Sequence, residues 1–189
     1  MSLITEYGLD SPARALLVLV LVLKDSELRT PMNKLHFQKT ILYFERIQQQ
    51  KDIDFSNFHY GGVSYELQEN IESLEESGLV NKIGTKYELT PEGEKAAREL
   101  ANEYDKETIR KLEFAKKQLN DLPDKELLYY MYKLFPDTQV NSIEYKKLDV
   151  DKQAIVCRLF KKDRIPAYLA SKWLNMSEKE FLENVCCSG

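Results

Sequence analysis

The sequence predicts a mainly α fold. It reads as a winged helix-turn-helix of three helices and a β-hairpin wing, a long connecting helix, and a C-terminal helical unit. Three observations predict it. Two apolar helical segments open the chain, each announced by a hydroxyl residue followed by proline, Ser11-Pro12 and Thr30-Pro31. A third, amphipathic segment follows Gly61-Gly62, and two short alternating strands come next, separated by Gly84-Thr85. A further hydroxyl-proline start at Thr90-Pro91 then begins a long helical stretch. The order helix, helix, helix, strand, strand, helix is the winged-helix plan.

The first helix is expected over Ser11 to Lys24, with Ser11 as N-cap, and its apolar residues all round place it in the middle of the domain. The second is expected over Pro31 to Gln49, with Leu35, Phe37, Ile41, Leu42 and Phe44 inward and Lys34, Lys39 and Arg46 towards water. Residues 51–58 read as a loop ending in a short strand, and Tyr60-Gly61-Gly62 as a turn. Ser64 caps the third helix, in which Leu67, Ile71 and Leu74 recur at helical spacing up to the left-handed stop at Gly78. Strands are expected over 79–83 and 86–90. From Pro91 an apolar line runs to Asn120, either as one helix or as two broken near Asp105. Beyond Leu122, "ELLYYMYKLFP" is an aromatic helix stopped at Pro136, with Leu127, Tyr130, Met131 and Leu134 as core and the other tyrosines as a possible interface. Residues 137–148 read as loop, and "DVDKQAIVCRLF" and "RIPAYLASKWLNMSEKEFLENV" as closing helices. The domains are therefore 1–120 and 121–189.

Charge narrows the function. The 31 acidic and 27 basic side chains leave a net charge of −4, which is not that of a general polyanion binder. The acidity is local: residues 51–100 hold eleven acidic against five basic side chains, whereas 141–189 hold nine basic against seven acidic. The third helix carries Glu66, Glu69, Glu72, Glu75 and Glu76 and no base, so it is a poor reader of DNA. Glu69, Glu72 and Glu76 are candidates for contact with a protein partner. Candidate phosphate contacts are Lys82 and Lys86 on the wing, and Lys161, Lys162, Arg164, Lys172, Ser177 and Lys179 near the C-terminus.

Catalysis and cofactors find no support. The two histidines, His36 and His59, have no partner at metal-ligand spacing, and no phosphate loop or nucleophile elbow is present. No catalytic residue, metal or cofactor is expected. Cys157, Cys186 and Cys187 make no disulfide framework, which suits a reducing cytoplasm. The apolar run Ala15 to Leu23 is under half a bilayer span, so no membrane segment is expected.

Two resemblances add to this reading. "LRTPMNKLHFQKTILYF", "FHYGGVSYELQENIESLEESGLV" and "YELTPEGEKAA" together resemble the winged-helix group that contains YwgA-type proteins and the Panacea antitoxin domain. The matched positions are Leu35, Lys39, Tyr60, Gly61, Ser64, Leu67, Leu74, Gly78, Leu79, Tyr87, Leu89, Thr90 and Gly93, over about residues 12–135. Gly62 and Val63 stand where that group usually has proline and an aromatic. The resemblance implies a regulator or antitoxin. "RLFKKDRIPAYLASKWLNMSEKEFLENV" is similar to the helix-turn-helix of small prokaryotic antitoxins, here over 164–187. In it Asn175 takes the left-handed turn, Met176 fills beneath it, Ser177 caps the second helix, and Phe181 and Val185 anchor that helix.

The expectation is a non-enzymatic winged-helix regulator, foremost a homodimeric binder of double-stranded DNA. The dimer elements would be the helix from Pro91 and the tyrosine-rich helix. The alternative is an antitoxin-like or adaptor module whose acidic third helix binds a toxin-like or otherwise basic protein.

Overall fold

The computed structural model describes residues 2–23, 31–58 and 61–185. The chain divides into two compact units, one of residues 1–56 and 62–121 and the other of 57–61 and 122–189. His59, Tyr60, Cys186 and Cys187 lie outside the described residues.

Unit 1 is built around one helix. After the short α1 (Leu3–Glu6), α2 (Pro12–Val22) begins at Ser11-Pro12 as expected, and every residue from Ala15 to Leu21 is buried. A helix apolar all round is stable only inside a shell, and α3 (Lys34–Gln48), α4 (Tyr65–Glu76) and α5 (Pro91–Ala101) provide it. The carbonyl of Leu23, just past the end of α2, accepts a 2.6 Å hydrogen bond from Lys116 Nζ, a cation where the helix dipole is negative. Lys116 belongs to α6 (Lys106–Leu119), which also packs on α3.

The sheet holds three antiparallel strands in the order β1-β5-β4: Met32–Asn33, Lys86–Leu89 and Val80–Ile83. Met32 pairs with Tyr87, and Lys82 pairs with Tyr87 from the other side. Tyr87, 1% exposed, meets Phe37 of α3 edge-on at 6.0 Å, which ties the sheet to the helices. Strand β1 was not expected. The second helix starts at Lys34 instead of Pro31 because Asn33 caps it, accepting from the His36 N–H at 2.8 Å.

Four further expectations are corrected or settled. Lys39 does not face water: it is 2% exposed, and its ammonium donates to the Gly62 carbonyl at 2.7 Å. Gly61 and Gly62 are not in a turn but in β3 (Gly61–Val63), which pairs with β2 (Ser56–Phe58). The stretch from Pro91 is two helices, because Asp105 caps α6 by accepting from Glu107 N and Thr108 N at 2.9 Å each. The glutamates of α4 are not wholly without a base: Glu72 meets Lys34 at 2.6 Å. Ser64, Gly78 and Thr90 take the cap and stop positions read from the sequence.

Unit 2 centres on α7 (Asp124–Leu134), whose Leu127 to Tyr132 are all buried. Tyr129 and Tyr132, expected as interface, are instead core, at 0% and 1% exposure. Tyr145 stacks on Tyr129 and meets Tyr132 edge-on, and Trp173 meets Tyr129 edge-on. The expected loop 137–148 holds a 3-10 turn (Pro136–Gln139) and α8 (Ile143–Leu148), capped by Ser142. Gly61, at φ +73°, passes so close that a Cβ would come 2.7 Å from Tyr132 Cε1.

Helices α9 (Lys152–Lys161), α10 (Ala167–Leu174) and α11 (Glu178–Glu180) complete unit 2. Asn175 takes the left-handed geometry at φ 57°, and Ser177 Oγ accepts from Glu180 N at 3.2 Å, as the sequence suggests. Met176 is half-buried, and Phe181 is fully buried, edge-on to Phe160 at 5.2 Å. The second helix is shorter than expected. It is one turn of α-helix continued by a π-helical turn, Phe181–Val185.

Candidate interaction surfaces

Helix α4 presents two faces. Leu67, Ile71 and Leu74 are all 0% exposed and pack inward. Glu66, Glu69, Glu72, Glu75 and Glu76 are exposed, and Tyr65 beside them is 58% exposed. Tyr65, Glu69, Glu72 and Glu76 recur every three to four residues, so they share one stripe about 16 Å long. Glu69 and Glu76 have no ion pair among the described residues. Glu72 is held below the usual carboxylate range by its hydrogen bond to Lys34, which is itself raised by the same bond.

The rest of the helix is fixed from below. Arg14 of α2 donates to Asn70 Oδ1 at 2.9 Å, to Ser73 Oγ at 2.8 Å and to the Tyr7 carbonyl at 2.9 Å. Gln38 of α3 clasps the Ser64 backbone, accepting from its N–H at 3.0 Å and donating to its carbonyl at 3.1 Å. Together with the Lys39–Gly62 bond, the Gln38 clasp sets where α4 begins. Arg14 carries no motif; only a base inside an otherwise apolar helix signals it in the sequence.

Two buried ionisable groups on α3 give this unit an unusual pH response. Burial lowers Lys39 to about 7 and raises Glu45 to about 7, although Glu45 accepts from Asp52 N and Ile53 N at 2.9 Å each. Between pH 4.5 and 7 the folded state holds the Glu45 proton and the unfolded state has lost it, so stability falls as pH rises. Between pH 7 and 10.5 the unfolded state holds the Lys39 proton and the folded state has lost it, so stability rises. Urea unfolding across pH 5–10 is expected to give a minimum near neutrality, and Lys39→Met is expected to abolish the alkaline rise. A Lys39→Met curve that still climbs above pH 7 would refute the assignment.

The lysines of the β4–β5 hairpin are exposed but differ. Lys82 lies 5.7 Å from the Tyr87 ring centre and near enough to Glu72 to lower it, so part of its charge serves α4. Lys86, on β5, is exposed without an ion pair among the described residues.

In unit 2 the expected phosphate contacts divide in the same way. Lys161 and Lys172 are exposed and have no ion pair among the described residues. Lys162 is engaged with Glu126 at 3.7 Å, and Arg158 reaches the same carboxylate at 2.5 Å. Glu126, 3% exposed on α7, thus anchors α9 through two cations. Arg164 is half-buried and donates to the Lys162 carbonyl at 3.3 Å. Lys179 pairs loosely with Glu183 at 4.0 Å, and the Ser177 hydroxyl oxygen already serves its own helix. The eight residues do not lie in one unit: Lys82 and Lys86 belong to the first, the other six to the second.

His36 sits beside its own helix cap, Nδ1 2.8 Å from Asn33 Oδ1. Among the described residues no group of three His, Cys, Asp or Glu is placed to hold a metal, and no helix is long and apolar enough to cross a membrane. No family model, curated protein or solved structure matches the chain.

Proposed function

We propose that unit 1 is a winged helix and that the chain is a non-enzymatic regulatory protein acting by protein contact through α4. The element order and the strand order β1-β5-β4 support the winged-helix reading, with β4 and β5 as the wing. The helix before the wing is then the one that such folds offer to DNA. Here it offers a stripe of carboxylates around an exposed tyrosine, and this single observation carries the reading. Phosphates would be repelled by it, whereas a lysine- and arginine-rich protein surface would be steered towards it. A basic, toxin-like protein is the partner chemistry that this face suits, in an antitoxin-like or adaptor role.

Duplex DNA is the second reading, favoured by exposed Lys172, in the last turn before the left-handed Asn175, and exposed Lys161 at the end of α9. It would use backbone contacts, because Glu178, Glu180 and Glu183 occupy the face of the second helix.

The test is fluorescence anisotropy against two probes, a Lys/Arg-rich helical peptide and a random DNA duplex. The peptide is expected to bind at 50 mM salt, and Glu69→Gln/Glu72→Gln/Glu76→Gln to weaken it at least about tenfold. Unchanged peptide affinity in that variant would remove α4 from the account.

A further inference from the structure

Unit 1 carries a second charged helix face, of opposite sign to α4. On α6, Lys106, Arg110, Phe114 and Lys117 are exposed and recur every three to four residues. Phe114, 48% exposed, leans on Tyr43 with ring centres 6.3 Å apart, so it is held in place while much of its ring faces water. Lys106 and Arg110 have no ion pair among the described residues, and Lys117 reaches Glu113 at 3.1 Å. Opposite charges on this helix, Glu107 and Glu113, are drawn sideways to Lys111 and Lys117.

The two stripes have the same length. Tyr65 to Glu76 and Lys106 to Lys117 each span eleven residue steps, about 16 Å. Set antiparallel, they bring Glu76 opposite Lys106 and Glu72 opposite Arg110. Tyr65 then falls opposite Lys117, where a cation suits its ring, and Glu69 falls at the edge of Phe114, beside Glu113. Each face thus offers three charges and one half-exposed aromatic to the other.

We propose that α6 is the docking face for α4 of a second copy of this chain, so that the protein associates head to tail through unit 1. This inference rests on α4 being a docking face for a basic surface, and it names that surface as one the chain itself carries. A contact between two different faces is heterologous, so it closes into a ring or extends with concentration. Its charged character makes it strong at low salt and weak at high salt. Duplex DNA along α6 is the competing occupant. The intervening Glu107 and Glu113 and the exposed phenylalanine favour a protein helix over a phosphate backbone.

A charge swap tests it in the full chain by sedimentation velocity at 50 and 500 mM salt. The wild type is expected to gain mass with concentration at 50 mM and to run as a single chain at 500 mM. Glu72→Lys/Glu76→Lys and Lys106→Glu/Arg110→Glu, all at exposed positions, are each expected to remain single chains, with circular dichroism confirming their fold. Mixed in equal amounts they are expected to associate again, since each then carries the complement of the other. A wild type that stays a single chain at 50 mM, or a mixture that does not associate, overturns the inference. If the Lys/Arg-rich peptide still binds in either case, the docking role of α4 survives and only the self-contact is lost. Binding of a random duplex lost with Lys106→Glu/Arg110→Glu, in a wild type that does not associate, assigns α6 to nucleic acid and also overturns it.

Discussion

Gly93→Ala is expected to destabilise unit 1 by about 3 kcal/mol or more, since forced overlap in a packed region costs this much when the backbone itself must move. A Cβ at this position would lie 2.0 Å from the Leu79 carbonyl oxygen. That oxygen is already the pivot of the strand-to-helix junction, accepting from Thr90 N at 3.0 Å and Thr90 Oγ1 at 3.2 Å. Thr90 Oγ1 in turn accepts from Gly93 N at 3.0 Å. Relief of the clash therefore requires α5 to leave β4, which breaks its own cap. The melting temperature is expected to fall by roughly 10 °C. Gly84→Ala is the control: its φ is +61° but nothing lies within 4 Å of a Cβ, so only backbone strain of about 1 kcal/mol is at stake. Equal losses at the two glycines would contradict the packing described for the junction.

Phe181→Ala is expected to cost unit 2 about 3–5 kcal/mol, as truncation of a fully buried phenylalanine does. Its ring is 0% exposed and meets Phe160 edge-on, so it joins the chain after the Asn175 turn to α9. Phe181 opens the π-helical turn and is its buried anchor. Trp173 is the only tryptophan of the chain and lies in unit 2, so its fluorescence reports this unit alone. A transition seen by Trp173 at wild-type denaturant concentration in Phe181→Ala would show that the segment is peripheral to unit 2.

The caps and apolar stripes were legible because each is written within a few residues. Ser64, Gly78, Thr90-Pro91 and Asn175 declare helix ends by their own backbone chemistry, and Leu67, Ile71 and Leu74 declare a buried face by spacing. What was missed depends on distant partners. Strand β1 is two residues long, and it exists because Met32 finds Tyr87 more than fifty residues away. Lys39 falls at a position where a charge normally faces water, and only the Gly62 carbonyl explains its burial. Tyr129 and Tyr132 have hydroxyls that suggested an interface, but Trp173 and Tyr145 enclose their rings. The stretch 137–148 is polar enough to read as loop, yet Ser142 both caps α8 and donates to Tyr132 Oη at 2.6 Å.

The surfaces followed the same division. The acidic stripe of α4 could be read from the sequence because it lies on one helix. The lysines read as phosphate contacts from the sequence, but Lys162 serves Glu126 and Lys82 leans towards Tyr87 and Glu72. The exposed face of α6 went unnoticed because its charges are interleaved with glutamates, and their pairing within the helix appears only in three dimensions.

The most direct test of the central claim is the duplex arm of the anisotropy titration, run from 50 to 300 mM salt beside the basic peptide. Contact through α4 predicts that the peptide binds with a steep salt dependence. It also predicts that Glu69→Gln/Glu72→Gln/Glu76→Gln weakens this binding at least about tenfold while leaving duplex affinity equal or higher. Tight duplex binding by the wild type that the same three substitutions abolish would contradict it, and would return α4 to the role of a DNA-contacting helix.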